Sequence, residues 1–385
     1  MVRAVGTDSG TKSYDIFGFD DNTRDVFVTR DVFVDEAIPR EEMVKNPKLV
    51  VDRLKEIDRR YHVDAIVVSS GYGIPLKLAR DASAEEIALA TFITENDVKR
   101  GLRIIGLRKL LRLIKEDPEL NYKTYFTPGV VQLPTMSNYR KINKIDMGTS
   151  DKVYSAALSV VRHAEVNGID YSEVNIVVSE IGFAYTSTIG IKEGKIVDAV
   201  AGTAGFPGYL GMGSIDGELA YAISNTVEFS KELLFRSGAA YLSGSDPFRI
   251  SIEEIIKPGT ASYESLVESA IKGIISMLPA TRPDAIYLSG RFSRVPFFVE
   301  DIRRRLESVF DLTNFEPRIE VLQNLGKVAK QAAEGAAVIA NGLAGGKYRG
   351  LIDVLGLRES RGTIFDHVTV ADRDRLIKTF GCYME

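Results

Sequence analysis

The order of local patterns occurs twice along the 385 residues, and this repetition constrains the fold more than any single motif does. In the first half, extended runs at 2–7, 13–19 and 25–34 are separated by polar turns at 8–11 and 20–23, which predicts a three-stranded meander. Leu49, Val50, Leu54 and Ile57 then recur at helical spacing over 48–61, and an apolar strand-like run over 64–70 ends at Gly71-Tyr72-Gly73. In the second half, 174–179, 184–191 and 195–200 are extended, with turns at 180–182 and at Glu193-Gly194. A helical pattern over 263–278 leads to Asp284-Ala285-Ile286-Tyr287-Leu288-Ser289-Gly290, which echoes Asp64-Ala65-Ile66-Val67-Val68-Ser69-Ser70-Gly71. Buried strands converge in composition, so it is the shared place of the two runs in the order that argues for duplication.

A meander followed by alternating helices and strands needs helices on both faces of a mixed sheet. The expectation is an α/β protein of two such units, with a cleft between them. The join is expected at 148–150, where Gly148-Thr149-Ser150-Asp151 opens a helix with Val153, Ala156, Ala157, Val160 and Ala164 on one face and Ser150 or Asp151 as cap. The expected boundaries are 1–149, 150–345 and a C-terminal extension over 346–385. A last helix, rich in Ala and Gly, is expected over 327–343 and close to the cleft. Residues 350–385 are charged and weakly patterned, fitting an appended helix or a tail.

With 45% apolar residues, the chain is long enough for two hydrophobic cores. A net charge of −4 leaves no basic field to gather nucleic acid or an anionic membrane, so a small-molecule partner is favoured. The single cysteine, Cys382, excludes an internal disulfide framework and a cysteine-bound zinc or iron–sulfur site. His62, His163 and His367 are too scattered to read as a metal cluster. No run approaches the ~18 apolar residues of a membrane span, and the opening MVRAVGTDSG lacks a signal-peptide core, so a cytoplasmic protein is expected.

The chemistry begins at Gly6-Thr7-Asp8-Ser9-Gly10-Thr11-Lys12-Ser13. Gly10 lets backbone N–H groups approach an anion, and Thr11 and Lys12 can add contacts to phosphate. The carboxylate of Asp8 would repel phosphate unless it faces Mg²⁺ through water; an ordinary Asp/Gly hairpin would read the same. Asp146, in Ile145-Asp146-Met147-Gly148, can orient Mg²⁺ or accept a proton at the mouth of a helix, and it can equally be a turn former. Val178-Ser179-Glu180-Ile181-Gly182-Phe183 occupies in the second half the place of the Asp8 turn, so that Ser179 and Gly182 become second phosphate contacts. At Ser289-Gly290-Arg291 the glycine lets a flat base lie against backbone, as an unremarkable strand-to-helix turn also would. In Ala333-Glu334-Gly335-Ala336-Ala337 small residues suit tight packing, with Gly335 near nucleotide and Glu334 able to reach a metal. Neither a GxxxxGK[ST] loop nor a GxGxxG fingerprint is present. For the acceptor, Gly71, Tyr72 and Arg80, with Asn138 and Arg140, belong to segments expected to line the first unit's side of the cleft; an Arg can grip a carboxylate through two parallel hydrogen bonds, although solvated arginines are commoner.

These five motifs, in this order, resemble those of the acetate and sugar kinase, heat-shock protein and actin superfamily. The stretch 5–21 is similar to its first phosphate motif, 179–183 to its second and 285–291 to its adenosine motif, while the segments around Asp146 and Glu334 resemble its two connecting motifs. Segments 134–158, 180–202 and 205–217 look most like the butyrate and acetate kinase branch, and more specifically an archaeal family of predicted butyrate kinases. The resemblance covers about residues 2–345. It implies duplicated ribonuclease H-like domains, ATP and Mg²⁺ as cofactors, transfer of the γ-phosphoryl group to a small carboxylic acid, and a homodimer. Asp146 would then serve the metal, and Lys12 would stabilise the transferring group. Carboxylate kinases of this kind carry Asn where this chain has Asp8, and their active-site histidines do not map onto His62, His163 or His367. A kinase of a sugar, polyol or other hydroxyl acceptor, with Asp146 as base, and a non-kinase actin-like ATPase therefore remain as alternatives.

Overall fold

The computed structural model describes residues 1–21, 31–99, 106–227, 229–249, 251–313 and 315–381. The chain forms two compact units. The first comprises Met1–Val174, Glu193–Ile196 and Gln323–Glu385, the second Asn175–Lys192 and Val197–Leu322.

In the first unit, β1 (Arg3–Ser9), β2 (Ser13–Asp20) and β3 (Val32–Pro39) form an antiparallel meander. β4 (Ala65–Val68) lies parallel to β1, and β6 (Thr124–Phe126) lies parallel to β4, with the two-residue β5 (Lys77–Leu78) at the edge. The sheet order is β3-β2-β1-β4-β6-β5. Part of the strand expected over 25–34 lies outside the described residues. The helix Lys48–Tyr61 has the bounds its periodicity predicts, and it buries Val50, Leu54 and Ile57 against Val5 and Ile66. Gly6 points to the opposite face, where the helix Gln331–Leu343 comes so close that a Cβ at Gly6 would lie 2.0 Å from the Ala337 nitrogen. β1 is thus covered on both faces, as its run of buried residues requires.

The second unit repeats this order. β7 (Ile176–Ile181), β8 (Thr186–Lys192) and β9 (Lys195–Ala201) form the meander, and β10 (Ala285–Ser289) and β11 (Arg318–Val321) follow in parallel, giving β11-β10-β7-β8-β9. The helices Ala261–Ser276 and Pro296–Phe310 bury Leu266, Ala270 and Ile274, and Phe298, Ile302 and Leu306, in its core. The two echoing runs occupy the same place, the fourth strand of each unit. Even the hydrogen bond before the strand recurs: Asp64 N donates to Arg3 O at 2.8 Å, and Asp284 N to Asn175 O at 2.8 Å.

Two expectations differ from what is found, and a third, left open, is decided. The helix Ser150–Asn167 belongs to the first unit, because the helix Gln331–Leu343 packs on it so closely that a Cβ at Gly335 would lie 2.0 Å from Tyr154 O. The chain passes to the second unit only after Val174. The Ala- and Gly-rich helix, expected to be the last, starts at Gln331, not at 327, and is followed by helices Arg349–Val354 and Arg373–Phe380; the Asp35 carboxylate accepts the N–H groups of Lys327 (2.7 Å), Val328 and Ala329 (2.7 Å) and holds them outside the helix. For residues 346–381 the appended-helix alternative is the one found, with helices Arg349–Val354 and Arg373–Phe380; Leu351, Ile352, Leu355, Ile364 and Phe365 are buried, and the Phe380 ring lies 4.5 Å from that of Phe92.

Because Gly6 meets backbone rather than a movable side chain, Gly6→Ala should destabilise the protein by about 1–3 kcal/mol or more. The measurement is the denaturant midpoint of the first unit's transition. Wild-type stability in this variant would mean that strand and helix can separate at no cost.

Candidate functional site

The hairpin register places Asp8 directly opposite Asp15 at the end of β1 and β2. Like charges facing each other across a strand pair are destabilising. Both residues are buried, Asp8 with 4% exposure and Asp15 with none. Lys330 resolves the conflict: its Nζ lies 2.8 Å from Asp8 Oδ2 and 2.9 Å from Asp15 Oδ2, and its backbone N donates to Asp15 Oδ2 at 3.2 Å. Gly10 leaves room for this ammonium, since a Cβ there would lie 2.4 Å from Lys330 Nζ. Arg40 closes another side; its Nη1 donates to Ser9 Oγ and its backbone N to Lys12 O.

Burial pushes the Asp8 carboxyl up to about 6, with Lys330 opposing and Asp151 and Asp15 reinforcing the rise. Burial alone would lower the Lys330 ammonium, but Asp8 and Asp15 outweigh it and hold the ammonium above its ordinary value. Arg40 is pushed down to about 10 by burial, against the pull of Asp8 and Tyr14. Burial would raise the Asp151 carboxyl, yet Lys152 at 2.7 Å and the Thr149 hydroxyl keep it below the usual carboxylate range.

One ammonium satisfies one oxygen of each acid. Asp8 Oδ1 and Asp15 Oδ1 are buried and have no hydrogen-bond partner among the described residues. Orphaned carboxylate oxygens of this kind fit a cation carried in from outside. Among the described residues no three His, Cys, Asp or Glu side chains are grouped to hold a metal by themselves. This suits an ion brought with phosphate oxygens and water more than a resident metal.

Asp146 belongs to an adjoining cluster in the same unit. It is 8% exposed, and its Oδ1 accepts from Gly148 N at 3.2 Å. Burial, and then the charge of Asp146, hold the Tyr72 hydroxyl above its ordinary range. Gly71 O accepts from Ser150 N at 2.8 Å, and Gly129 sits so close to Tyr72 O and Gly148 O that the 71–73 turn, Gly129 and the 146–148 turn are backbone neighbours. Positive φ at Gly71 (68°), Gly73 (109°) and Gly148 (125°) makes these turns dependent on glycine.

Other expected residues have different places. Lys12 and Thr11 are exposed at the hairpin tip, and the lysine beside Asp8 is Lys330. Glu334 has no exposure: its Oε1 pairs with Arg162 Nη2 at 2.7 Å and its Oε2 accepts from Leu325 N at 2.6 Å. The metal role expected for Glu334 is corrected to a buried ion pair that anchors the helix Gln331–Leu343. Gly335, expected near nucleotide, faces Tyr154 O and is a packing glycine. Arg80 is exposed, with Asp81 at 3.8 Å, and the Arg140 guanidinium lies 5.3 Å from the Tyr139 ring centre. Asn138 is exposed at the edge of a separate cavity.

In the second unit the turn after β7 falls two residues later than expected, with Gly182 N donating to Tyr185 O at 3.0 Å. Ser179 is consequently buried within the sheet, its Oγ 3.4 Å from Thr188 Oγ1, which corrects its assignment as a phosphate contact. Gly290 has φ of 82° and ψ of −170°, a conformation only glycine adopts readily. Arg291 is exposed, and its guanidinium lies 5.6 Å from the Phe183 ring centre.

Sequence reasoning missed Asp15, Lys330 and Arg40. Asp15 had a signal, since a hairpin turning at 10–12 pairs it with Asp8. Lys330 had none, because it reaches Asp8 across 322 residues of chain.

The family model described as "Protein of unknown function (DUF1464)" matches residues 6–370. No curated protein matches the sequence. Among solved structures the chain is similar to acetate kinase from Entamoeba histolytica, at 16% identity over 81% of this chain and 87% of that one, with a TM-score of 0.52. It is similar also to Porphyromonas gingivalis acetate kinase (15%, 87% and 98%, 0.53) and to a propionate kinase from Francisella tularensis subsp. tularensis SCHU S4 (15%, 88% and 98%, 0.55). The fold is therefore the two-unit α/β fold of these acetate and propionate kinases.

Folded Asp8 titrates near 6 and an unfolded one near 3.8, so between these values the native state binds more protons and stability falls as pH rises. Asp8→Asn removes this dependence. Without nucleotide or divalent cation, the variant should gain up to about 3 kcal/mol on wild type between pH 4 and pH 7, and no more above. Denaturant unfolding at pH 4.5 and 7.5 measures it; a difference that does not change with pH would contradict the assigned environment of Asp8.

Proposed function

The chain belongs to the DUF1464 family of unknown function, and from that premise we propose that it is an ATP-dependent small-molecule kinase that phosphorylates a small carboxylic acid. The observation that carries the reading is the buried Asp8–Asp15 pair, bridged by Lys330 and left with one orphaned oxygen on each acid, beside a glycine turn and Arg40. Supporting it is the likeness in fold to acetate and propionate kinases.

In this reading Gly10 and the backbone of the 8–11 turn receive the phosphate end of ATP, with Thr11 and Lys12 at the exposed tip closing over it. Asp8, and Asp146 through water, would hold Mg²⁺, which would supply neutralisation of phosphate charge. Lys330 and Arg40 keep fixed positive charge beside the turn, so that charge developing on the transferring group meets dipoles and cations already in place. Gly182, Gly290 and Arg291 are assigned to the nucleotide in the second unit. Gly71 and Tyr72, adjoining Asp146, are assigned to the acceptor, with Arg80, Asn138 and Arg140 as further candidates. A carboxylate acceptor is ionised at neutral pH and needs no base.

One observation favours a second reading. Asp146 is nearly buried and next to the Tyr72 hydroxyl, a setting that also suits a base for a hydroxyl acceptor. Incubation with ATP, Mg²⁺, hydroxylamine and short-chain acids separates the two, because only an acyl phosphate yields a hydroxamate. Hydroxamate is expected. ATP turnover that requires a sugar or polyol would select the hydroxyl acceptor. In either case Asp146→Asn should lower phosphoryl transfer by ~10²-fold or more with the fold retained; near-normal turnover would retire its role. Lys330→Met, which leaves the buried Asp8–Asp15 pair without its bridging ammonium, should also lower transfer and change Mg²⁺-dependent ATP binding measured by calorimetry.

A further inference from the structure

The segment 131–141 and the C-terminal segment 361–367 line a cavity of ≈ 410 Å³ that shares no residue with the Asp8, Asp15 and Lys330 cluster. This is the size range of small-ligand sites. One wall is apolar, made by Leu133, Pro134 and Met136. Another gathers Lys141, Arg361 and His367.

The charge here is not balanced by the protein. Lys141 is 4% exposed, and its Nζ has one acceptor, Leu133 O at 2.8 Å, although an ammonium has three donors. The Arg361 side chain is exposed and makes no ion pair among the described residues. Asp366, the one carboxylate in the lining, is already taken by Arg373 Nη2 at 2.8 Å and by the Thr363 hydroxyl at 2.7 Å. The cost registers on the neighbours. Burial and then Arg361 lower the pKa of Lys141; burial and then Lys141 lower that of His367, with Asp366 opposing and Arg373 adding to the fall. A half-buried cationic cluster of this kind is unfavourable when empty and is relieved by an anion.

The geometry is also held in place. Gln132 Nε2 donates to Gly73 O at 3.1 Å and to Gly362 O at 3.2 Å, while Arg361 N donates to Gln132 O at 3.1 Å. The C-terminal segment is thereby fixed next to the residue that carries the guanidinium.

We propose that this cavity binds a small organic anion, with its carboxylate or phosphate group held by Lys141, Arg361 and His367 and its carbon body against Leu133, Pro134 and Met136. The C-terminal segment then completes a binding site by supplying two of the three cationic groups. An anion favours protonated His367, so binding strengthens as pH falls.

Titration calorimetry on the full chain without nucleotide tests this, with butyrate as the carboxylate probe, glycerol 3-phosphate as the phosphate probe and chloride holding ionic strength constant; the Arg361→Gln variant separates this cavity from an acceptor site at Gly71 and Tyr72, which it leaves intact. One probe or both should bind saturably at one site, more tightly at pH 6 than at pH 8, and the probe that binds identifies the group. Arg361→Gln, at an exposed position, should fold normally and weaken binding by about tenfold or more. His367→Gln should remove most of the pH dependence. Unaltered affinity in Arg361→Gln, or no saturable binding of either probe to wild type, would overturn the proposal.

Discussion

Two aspartates face each other across a buried hairpin, and the structure of the first unit is arranged around that conflict. Asp8 and Asp15 are paired by register, so neither can move away without breaking the ladder that makes β1 and β2. Lys330 must therefore come to them. It does so from the far end of the chain, delivered by a helix whose start is set by Asp35 and whose approach is set by Gly6. Replace that glycine with a larger residue and the helix stands off, leaving two acids in the interior with no counter-charge.

This dependence explains why the helix Gln331–Leu343 is rich in Ala and Gly. Gly6 meets the Ala337 backbone and Gly335 meets Tyr154 O, so the helix is in backbone contact with a strand on one side and with the helix Ser150–Asn167 on the other. Glu334, next to Gly335 in sequence, is spent on Arg162 and Leu325 N. Small residues bring the helix close, and the buried ion pair fixes its rotation. Lys330, at the position just before its first turn, is the point where that rigid placement is expressed as chemistry.

The fold was legible in the sequence because its causes are local and repeated. Helical spacing gave the bounds of Lys48–Tyr61, and the shared order of meander, helix and strand gave the duplication. Of the residues singled out from sequence, Asp8, Gly10, Gly71 and Asp146 sit on or beside glycine-bearing turns, whose place local sequence sets. The site was opaque where a contact is long-range or where a turn shifts by two residues. Ser179 reads as a turn residue because Glu180 and Gly182 are turn formers, yet pairing with β8 extends β7 to Ile181 and buries the hydroxyl. Lys12 is the lysine nearest Asp8 in sequence and lies at the exposed tip, since no local signal says that Lys330 will take its place.

The two units also show what duplication preserves and what it releases. β4 is followed by Ser69-Ser70-Gly71 and β10 ends at Ser289 before Gly290, and in both cases the glycine has positive φ, 68° at Gly71 and 82° at Gly290. A Cβ would strike a carbonyl oxygen in each, Ala90 O at 2.6 Å and Ile181 O at 2.7 Å. The echo between the two runs is therefore required by the exit of the chain from the strand. Charge is not so constrained. In the first hairpin Asp8 faces Asp15, whereas in the second Glu180 faces Ser187, so no buried lysine is demanded there. Topology fixes where a turn and its glycine must be; the facing acids belong to only one of the two hairpins, which is why that hairpin, and not its counterpart, carries the orphaned oxygens.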